Sequence, residues 1–209
     1  MNKKIKLAVS AATAGIAAVG AAGAMLLGAL PSNAATTHNV AAGNATGLKP
    51  SSLSFVNARW FCMEGNWFGG KDCHIGAVVP KGWKVTSLNH SDAKFTPRSG
   101  SYFLRVAQGP YNLSTRQAVA QKQKALKNTK NLKIQGVATA RSGRVVYSTI
   151  VYTYTDAANH TRWVATRFQD AYGDGSSAGV ELTVAGTVAD KAGLTTVLAR
   201  ATTSAFLAG

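Results

Sequence analysis

The sequence contains little acid and little cysteine: 8 Asp and Glu stand against 23 Lys and Arg, and only two cysteines occur among 209 residues. No two carboxylates have a spacing that suggests the paired acids of a glycosidase, which must face each other across a cleft. No C-x-x-C pair is present to supply the converging ligands of a zinc site. We therefore expect no catalytic residues, no metal site and no cofactor.

Nucleotide-binding motifs are also missing, since neither a Walker nor a dinucleotide-binding glycine pattern occurs. Residues 175–179 (GSSAG) match the G-x-S-x-G nucleophile motif by letter. That motif needs its serine on a sharp turn between a strand and a helix, whereas this glycine-rich turn leads into a predicted strand. No histidine follows position 160 either. A hydrolase built from Ser177, His160 and Asp170 is therefore the least favoured alternative.

The N-terminus has the features of a secretory signal peptide. Three lysines within the first six residues precede an apolar stretch that continues to about Leu30, and small residues precede a cleavage site at Ala34 or Ala35. The alternative is a membrane anchor, because the apolar stretch exceeds the roughly 18 residues that a spanning helix needs. The small residues and the lack of charge just after them favour cleavage of residues 1–34. No second apolar stretch of spanning length follows, so we expect a secreted protein without a membrane anchor.

The mature chain would carry 20 Lys and Arg against the same 8 acids, because three lysines leave with the signal peptide. A protein this basic outside the cell is attracted to polyanions. Candidate partners are anionic wall polymers, anionic lipid surfaces, acidic proteins and extracellular nucleic acid, with no sign of specific nucleic-acid recognition. The alternative is that the charge serves only solubility.

The two cysteines, Cys62 and Cys73, enclose an aromatic, glycine-rich loop. In an exported chain, a single pair at this spacing predicts one disulfide, and closing a loop of that length stabilises a protein by roughly 3 kcal/mol. Trp60, Trp67 and Phe68 crowd this span, which is typical of a recognition surface. The alternative is a flap whose aromatic side chains pack on the sheet.

The centre of the fold is predicted to be a long β-hairpin over residues 143–170, in which β-branched and aromatic residues flank a turn at residues 156–160. Further strands are predicted near residues 54–62, 83–85, 93–96, 102–106, 132–140 and 180–184. In the strand at 132–140, Leu132, Ile134 and Val137 are expected to face inward. In the strand at 180–184, alternation predicts that Glu181 faces outward, a lone buried acid being the alternative.

Two helices are predicted. Ser114 and Gln117 match a capping box at the start of the first, which should end at about Asn128. The second starts at Asp190 and turns an apolar stripe towards the sheet. Lysines follow the first helix and the residues just beyond it: Lys122, Lys124, Lys127, Lys130 and Lys133. Such a run is usually a solvated face, and the alternative is an anion-binding patch.

The order of these elements, together with three short stretches, resembles the PsbP-like fold. The stretches are VPKGW at 79–83, FTPRSG at 95–100 and FLRV at 103–106. Over about residues 79–207 the chain looks most like the extracytoplasmic domains of actinobacterial serine/threonine kinases and small secreted wall-associated proteins. The resemblance implies an antiparallel sheet sandwiched by helices and a non-catalytic binding or sensing role, with no shared catalytic residues to carry over. Residues 59–74 lie outside that family pattern.

Together these features predict a signal peptide over residues 1–34, a disordered leader over 35–50 and a single α+β domain over 51–209. Within the domain we expect a disulfide-loop segment (51–78) and a PsbP-like core (79–207), in a monomer. The favoured function is a secreted, non-enzymatic binding module whose lysines and loop aromatics contact an anionic cell-envelope polymer or an acidic protein. The alternative is a secreted inhibitor or toxin-like effector that acts through the disulfide loop.

Overall fold

The computed structural model describes residues 47–64, 71–89, 92–170 and 172–207, and it describes side chains in these ranges except at 59–64, 71–75, 87–89 and 206–207. The predicted signal peptide and most of the predicted leader lie outside the described residues. So do Trp67 and Phe68 of the predicted recognition loop.

The described chain forms ten strands and two helices. The strands are β1 (Phe55–Glu64), β2 (Lys71–Pro80), β3 (Lys84–Asn89), β4 (Asp92–Thr96), β5 (Phe103–Gln108), β6 (Lys133–Ser142), β7 (Val145–Thr155), β8 (Thr161–Asp170), β9 (Ala178–Thr187) and β10 (Phe206–Leu207). The helices are α1 (Thr115–Ala125) and α2 (Lys191–Ser204), and short 3-10 helices lie at Pro50–Ser52 and Val188–Asp190.

Seven strands form one antiparallel sheet in the order β3-β4-β5-β9-β8-β7-β6, and β1, β2 and β10 form a second, three-stranded sheet. The predicted central hairpin is the pair of β7 and β8. The Asp156 carboxylate builds its turn by accepting hydrogen bonds from the backbone N–H groups of Ala158 and His160, at 3.0 and 2.9 Å. Asn159 adopts a positive φ of 62° there, a conformation that asparagine tolerates better than most residues.

One face of the seven-stranded sheet packs against α2 and the three-stranded sheet. Alternating side chains of β9 point to this face and contact the apolar stripe that the sequence predicts on the last helix. The contacting side chains are Val180, Leu182, Val184, Leu194, Val197, Leu198 and Ala201. More buried side chains gather here than on the opposite face, so this layer is the larger core. Each fully buried Leu or Val contributes about 1.5–3 kcal/mol relative to an exposed one.

The opposite face of the same sheet carries α1, which packs on β7 and β8. Ala118, Val119 and Leu126 are buried there against Ile150 and Tyr152, both of which are fully buried. The predicted α+β architecture, an antiparallel sheet between helices, is thus confirmed. The three-stranded sheet beside α2 is an addition that the sequence did not predict.

The start of α1 is the predicted capping box. The Ser114 hydroxyl accepts from the Gln117 backbone N–H at 3.3 Å, and the Gln117 side chain accepts from the Ser114 N–H at 2.9 Å. The helix ends at Ala125 with Leu126 as its C-cap, so it is a few residues shorter than predicted.

The β1–β2 hairpin belongs to the same folded unit as the rest of the described chain. Ala77 and Val79 of β2 are buried in the core that α2 covers, and β10 pairs with β2. The predicted boundary between a loop segment (51–78) and a core (79–207) falls inside β2, which contributes to the core on both sides of it. The aromatic loop is also shorter than predicted, since β1 reaches Glu64 and β2 begins at Lys71.

The strand at 132–140 was predicted to turn three apolar side chains inward, and this is only partly right. Leu132 packs against the α1 core, but Ile134 is 40% exposed and Val137 is 49% exposed. The reason is position: β6 is the edge of the sheet, and α1 lies over β7 and β8 instead. Apolar alternation gives the face of a side chain but not what covers that face.

Ordered structure begins before residue 51, so the predicted leader (35–50) extends too far. The Leu48 N–H donates to the Asp190 carboxylate at 3.0 Å, and the Leu48 carbonyl accepts from the Gly193 N–H at 3.0 Å. Gly193 permits this approach, because a Cβ at that position would lie 2.4 Å from Leu48 Cγ.

We therefore expect Gly193→Ala to lower the thermal unfolding temperature of the mature protein by a few degrees, because overpacking of this kind costs about 1–3 kcal/mol. In a matched variant that begins after residue 50, the same substitution should be neutral or stabilising, since alanine is the better helix former by about 1 kcal/mol. Thermal unfolding of the four proteins measures the difference. Equal losses in both backgrounds would show that Leu48 is not docked on α2.

Candidate functional site

Four of the five predicted lysines are exposed to solvent and one is not. Lys124, Lys127, Lys130 and Lys133 are exposed, and we call them the exposed lysine set. The Lys130 ammonium donates to the Asn159 side chain at 2.8 Å. Lys122 must be removed from the predicted patch, because its Nζ lies 3.0 Å from Glu181 Oε1 with only 14% of its side chain exposed.

The three aromatic side chains of the predicted recognition surface lie outside the described part of the chain. Trp60 lies in β1 with its side chain outside the described part, and Trp67 and Phe68 fall between β1 and β2, in residues 65–70, which are outside it altogether. Cys62 and Cys73 are direct partners in the β1–β2 register. Directly opposed residues of antiparallel strands have Cα atoms about 4.5–5.5 Å apart, which is within the span that a disulfide needs. Their side chains are not among those described.

A partly buried ion network lies on the α1 face of the large sheet, where β4, β5 and β9 adjoin. The Arg105 Nε donates to both Asp92 carboxylate oxygens at 2.9 Å, and Arg105 Nη1 reaches Glu181 Oε1 at 3.4 Å. Lys122, from α1, contacts the same Glu181 oxygen, as does the Thr183 hydroxyl at 3.2 Å. Burial alone would raise the pKa of Glu181, but the charges of Lys122 and Arg105 outweigh it and lower that pKa. The carboxylate therefore stays ionised and ties α1 to the sheet.

Glu181 was predicted to face outward, and this is wrong. It does point away from Val180 and Leu182, as alternation requires, but α1 brings Lys122 over that face. Sequence reasoning also missed Asp92 and Arg105 as its neighbours. Phe103 and Arg105 could be assigned to one face of β5, but the pairing of β5 with β9 joins strands that are more than 70 positions apart. No local signal reports such a pairing.

All six carboxylates whose side chains the structure describes are engaged within the protein. Two pair with the cations of the ion network, and four accept hydrogen bonds from backbone N–H groups at turns and element ends. The six are Asp92, Asp156, Asp170, Asp174, Glu181 and Asp190. Among the described side chains, no ion pair joins an acid to the exposed lysine set.

The three residues of the disfavoured hydrolase do not come together. Asp170 ends β8 and accepts from the backbone N–H groups of Val146 and Gly175, whereas His160 directly precedes the other end of that strand. The two residues are ten positions apart along an extended strand, a length of roughly 33 Å. The Ser177 hydroxyl donates to the Tyr111 carbonyl at 2.8 Å. The Ser177 hydroxyl is therefore not hydrogen-bonded to His160 or Asp170, either of which would have to act as its base.

The described ranges show neither a metal-binding cluster nor a membrane-spanning helix. No group of three or more His, Cys, Asp or Glu side chains in these ranges is arranged to hold a metal ion. No helix in the described part of the chain is long and apolar enough to cross a membrane.

We expect Glu181→Gln to lower the free energy of unfolding at about pH 7 by about 3 kcal/mol, because it leaves Arg105 and Lys122 short of a buried negative charge. The pKa of Glu181 is lowered from 4.5 on folding. Its stabilisation is therefore complete above pH 4.5 and is lost as the pH falls through the folded pKa.

Urea unfolding of the wild type and the variant at several pH values measures this effect. The difference between the two proteins should shrink as the pH drops below 4.5. Asp174→Asn, which removes an exposed carboxylate instead, is the matched control and should cost less. A constant difference across the pH range would contradict the charge argument.

No protein-family model and no curated protein matches the sequence. Solved structures that it resembles include LpqN, involved in cell envelope biogenesis of Mycobacterium tuberculosis, at 11% identity over 77% of this chain and 95% of that chain, with a TM-score of 0.43. Another is PsbP of the cyanobacterium Synechocystis, at 11% identity over 81% and 99% of the two chains, with a TM-score of 0.44. A third is a protein of unknown function from Pseudomonas aeruginosa, at 13% identity over 62% and 85%, with a TM-score of 0.39.

A PsbP structure is thus among those that this chain resembles, in line with the predicted resemblance to the PsbP-like fold, but TM-scores of 0.39, 0.43 and 0.44 do not establish a family. Likenesses this distant carry no argument about function. The predicted link to kinase extracytoplasmic domains stays a prediction.

Proposed function

We propose that this protein is a secreted, non-enzymatic binding module that associates with an anionic polymer of the cell envelope through the exposed lysine set. The observation that carries the proposal is the internal use of the described carboxylates. Because those acids serve the ion network and the backbone, they form no ion pair with the exposed lysines. An external polyanion would then supply the missing counter-charge.

The exposed lysine set is also held on one continuous stretch of described structure. Lys124 lies in the last turn of α1, and Lys133 begins β6. Between them, the Lys130 carbonyl accepts from the Thr155 N–H at 2.9 Å, which joins this turn to the end of β7. The charges are therefore presented by a fixed surface and not by a flexible tail, so a repeating polymer could contact several of them together.

Two simpler roles for these lysines exist. Lys124 is placed to interact favourably with the C-terminal end of the helix dipole, and surface charge keeps a protein soluble. Both roles need only some positive charge and no particular surface. Removing the same number of positive charges from another surface therefore distinguishes these two roles from polymer binding.

We expect the mature protein to be retained on purified cell envelope of the producing organism at about 0.1 M salt and released at about 1 M, where the Debye length falls from about 10 to about 3 Å. Replacing the exposed lysine set by glutamine should abolish retention. A control should keep most of it: glutamine at Lys49, Lys81, Lys84 and Lys191, which are exposed and outside the set.

Two outcomes would contradict the proposal. Retention that does not change with salt would exclude an electrostatic association, and equal losses in the two quadruple variants would show that total charge, and not this surface, is responsible. Folding of each variant is checked by its thermal unfolding.

A second candidate function, an inhibitor or toxin-like effector, acts through the tip of the β1–β2 hairpin. The observation in its favour is the direct pairing of Cys62 with Cys73 in the register, which suits a disulfide that closes the connection bearing Trp67 and Phe68. The double variant Trp67→Ala, Phe68→Ala tests it in the same retention assay. Loss of retention in this variant, with the lysine variant still bound, would favour the hairpin tip.

A further inference from the structure

One edge of the seven-stranded sheet is open in the described part of the chain. β6 ends the strand order, and its ladder partner within the described ranges is β7 alone. In an antiparallel pair, the N–H and C=O groups of alternate residues point to the partner strand, and those of the residues between them point away from it. The outward groups of β6 can therefore pair with a further strand.

β6 lacks most of the features that protect such an edge. Natural edge strands are usually short, or they are interrupted by proline, lysine or a bulge. β6 has ten residues, nine of them exposed, and no proline. Its bulge, between Ile134 and Gly136, lies near one end, and residues 136–142 pair with β7 without interruption. By contrast β3, the opposite edge, has six residues and an irregular register after Ser87.

The middle of β6 presents small, neutral side chains. Residues 136–140 are GVATA. Val137 and Thr139 pair with Ile150 and Ser148, which lie on the α1 side of β7, so they point to that side as well. Because α1 packs on β7 and β8, Val137 stays 49% exposed. A neighbouring strand with β-branched side chains would cover it, since directly opposed side chains of a sheet contact each other.

The chain around this edge carries charge of one sign. Residues 93–155 contain 6 Lys and 5 Arg but no Asp or Glu. Lys133 begins β6 and Arg144 lies in the turn that follows it, and both are exposed. Among the described side chains, no carboxylate pairs with either of them. Arg141 differs, because its Nη2 donates to the Gly173 carbonyl at 3.1 Å. Both ends of the strand therefore offer positive charge to a partner.

This charge distinguishes the possible occupants of the edge. A second copy of β6 would bring the same cations to the other side of the seam and no acid, and such self-repulsion keeps proteins monomeric. An extended segment of an acidic protein would meet opposite charge at both ends. The simplest alternative is that the cations only prevent the edge from pairing with itself, a role that needs no partner.

We propose that β6 binds an extended segment of an acidic protein, which adds to the sheet as a further strand along residues 136–142. Backbone hydrogen bonds supply the affinity of such an addition, and alternate side chains supply its selectivity. The segment has β-branched residues opposite the GVATA stretch and acidic residues near Lys133 and Arg144. The inference does not rest on the envelope association, because strand pairing uses backbone groups and shares only Lys133 with the exposed lysine set.

The probe is the synthetic peptide EETVTVTEE, acetylated and amidated at its ends. Its matched control, EETPPPTEE, has the same charge and length but lacks N–H groups at its centre, because proline has none. Hydrogen exchange of the labelled mature protein, followed by NMR, reports each amide of residues 136–142. We expect EETVTVTEE to slow the fast-exchanging, outward amides by about tenfold or more, and the control peptide to change them by less than about twofold.

A pair of variants tests the same contact from the protein's side. Ala138→Pro and Thr139→Pro remove neighbouring N–H groups, one of which points to β7 and the other outward. Thermal unfolding identifies the outward one, because only the loss of a ladder bond destabilises the sheet. The variant with the higher unfolding temperature should bind EETVTVTEE about tenfold more weakly than the wild type. It should keep its envelope retention, since its charge is unchanged.

Four results would overturn the proposal. Equal effects of the two peptides would show that charge alone is responsible, and no effect of EETVTVTEE would show that the edge does not accept a strand. Unchanged binding in the more stable proline variant would show that the peptide binds elsewhere. Slow exchange of every amide of residues 136–142 before peptide is added would show that the chain itself or a second copy already fills the edge. Failure of the envelope retention assay would leave this inference standing.

Discussion

The structure depends on two central strands, β8 and β9, being covered on both faces. Val164 points to the α1 side while Trp163 and Ala165 point to the α2 side, and all three are buried. A sheet with two buried faces needs a layer on each, because its alternating side chains are apolar in both directions. α1 supplies one layer, and α2 with the three-stranded sheet supplies the other.

This double coverage forces some charge into the interior. On the α1 face of β9, the side chain at position 181 is an acid, and it is stable there only because Arg105 and Lys122 reach it. These ion pairs join α1 to the sheet. They also neutralise two cations and two acids within the protein, so those charges do not contribute to the charge of the surface. Because the described acids are used internally, the remaining lysines and arginines with described side chains have no carboxylate partner within a salt-bridge distance.

The described cations that lack a carboxylate partner fall into two different environments. The exposed lysine set lies in solvent at the end of α1, where only a partner with several charges could gain much, since each exposed contact is weak. Lys94 and Arg162 are half-buried beside an aromatic ring, where a single charge interacts more strongly because less water screens it.

The sequence by itself determined the elements and the face on which each side chain lies. The Asp156 turn, the Ser114 capping box, the β7–β8 hairpin and the Leu194 stripe follow from local chemistry, because each depends on residues within one element or one turn. Only the tertiary structure decided what covers each face. It left Val137 exposed at an edge, paired Glu181 with Lys122 of α1 and docked Leu48 on α2, because those outcomes depend on which distant strands and helices become neighbours.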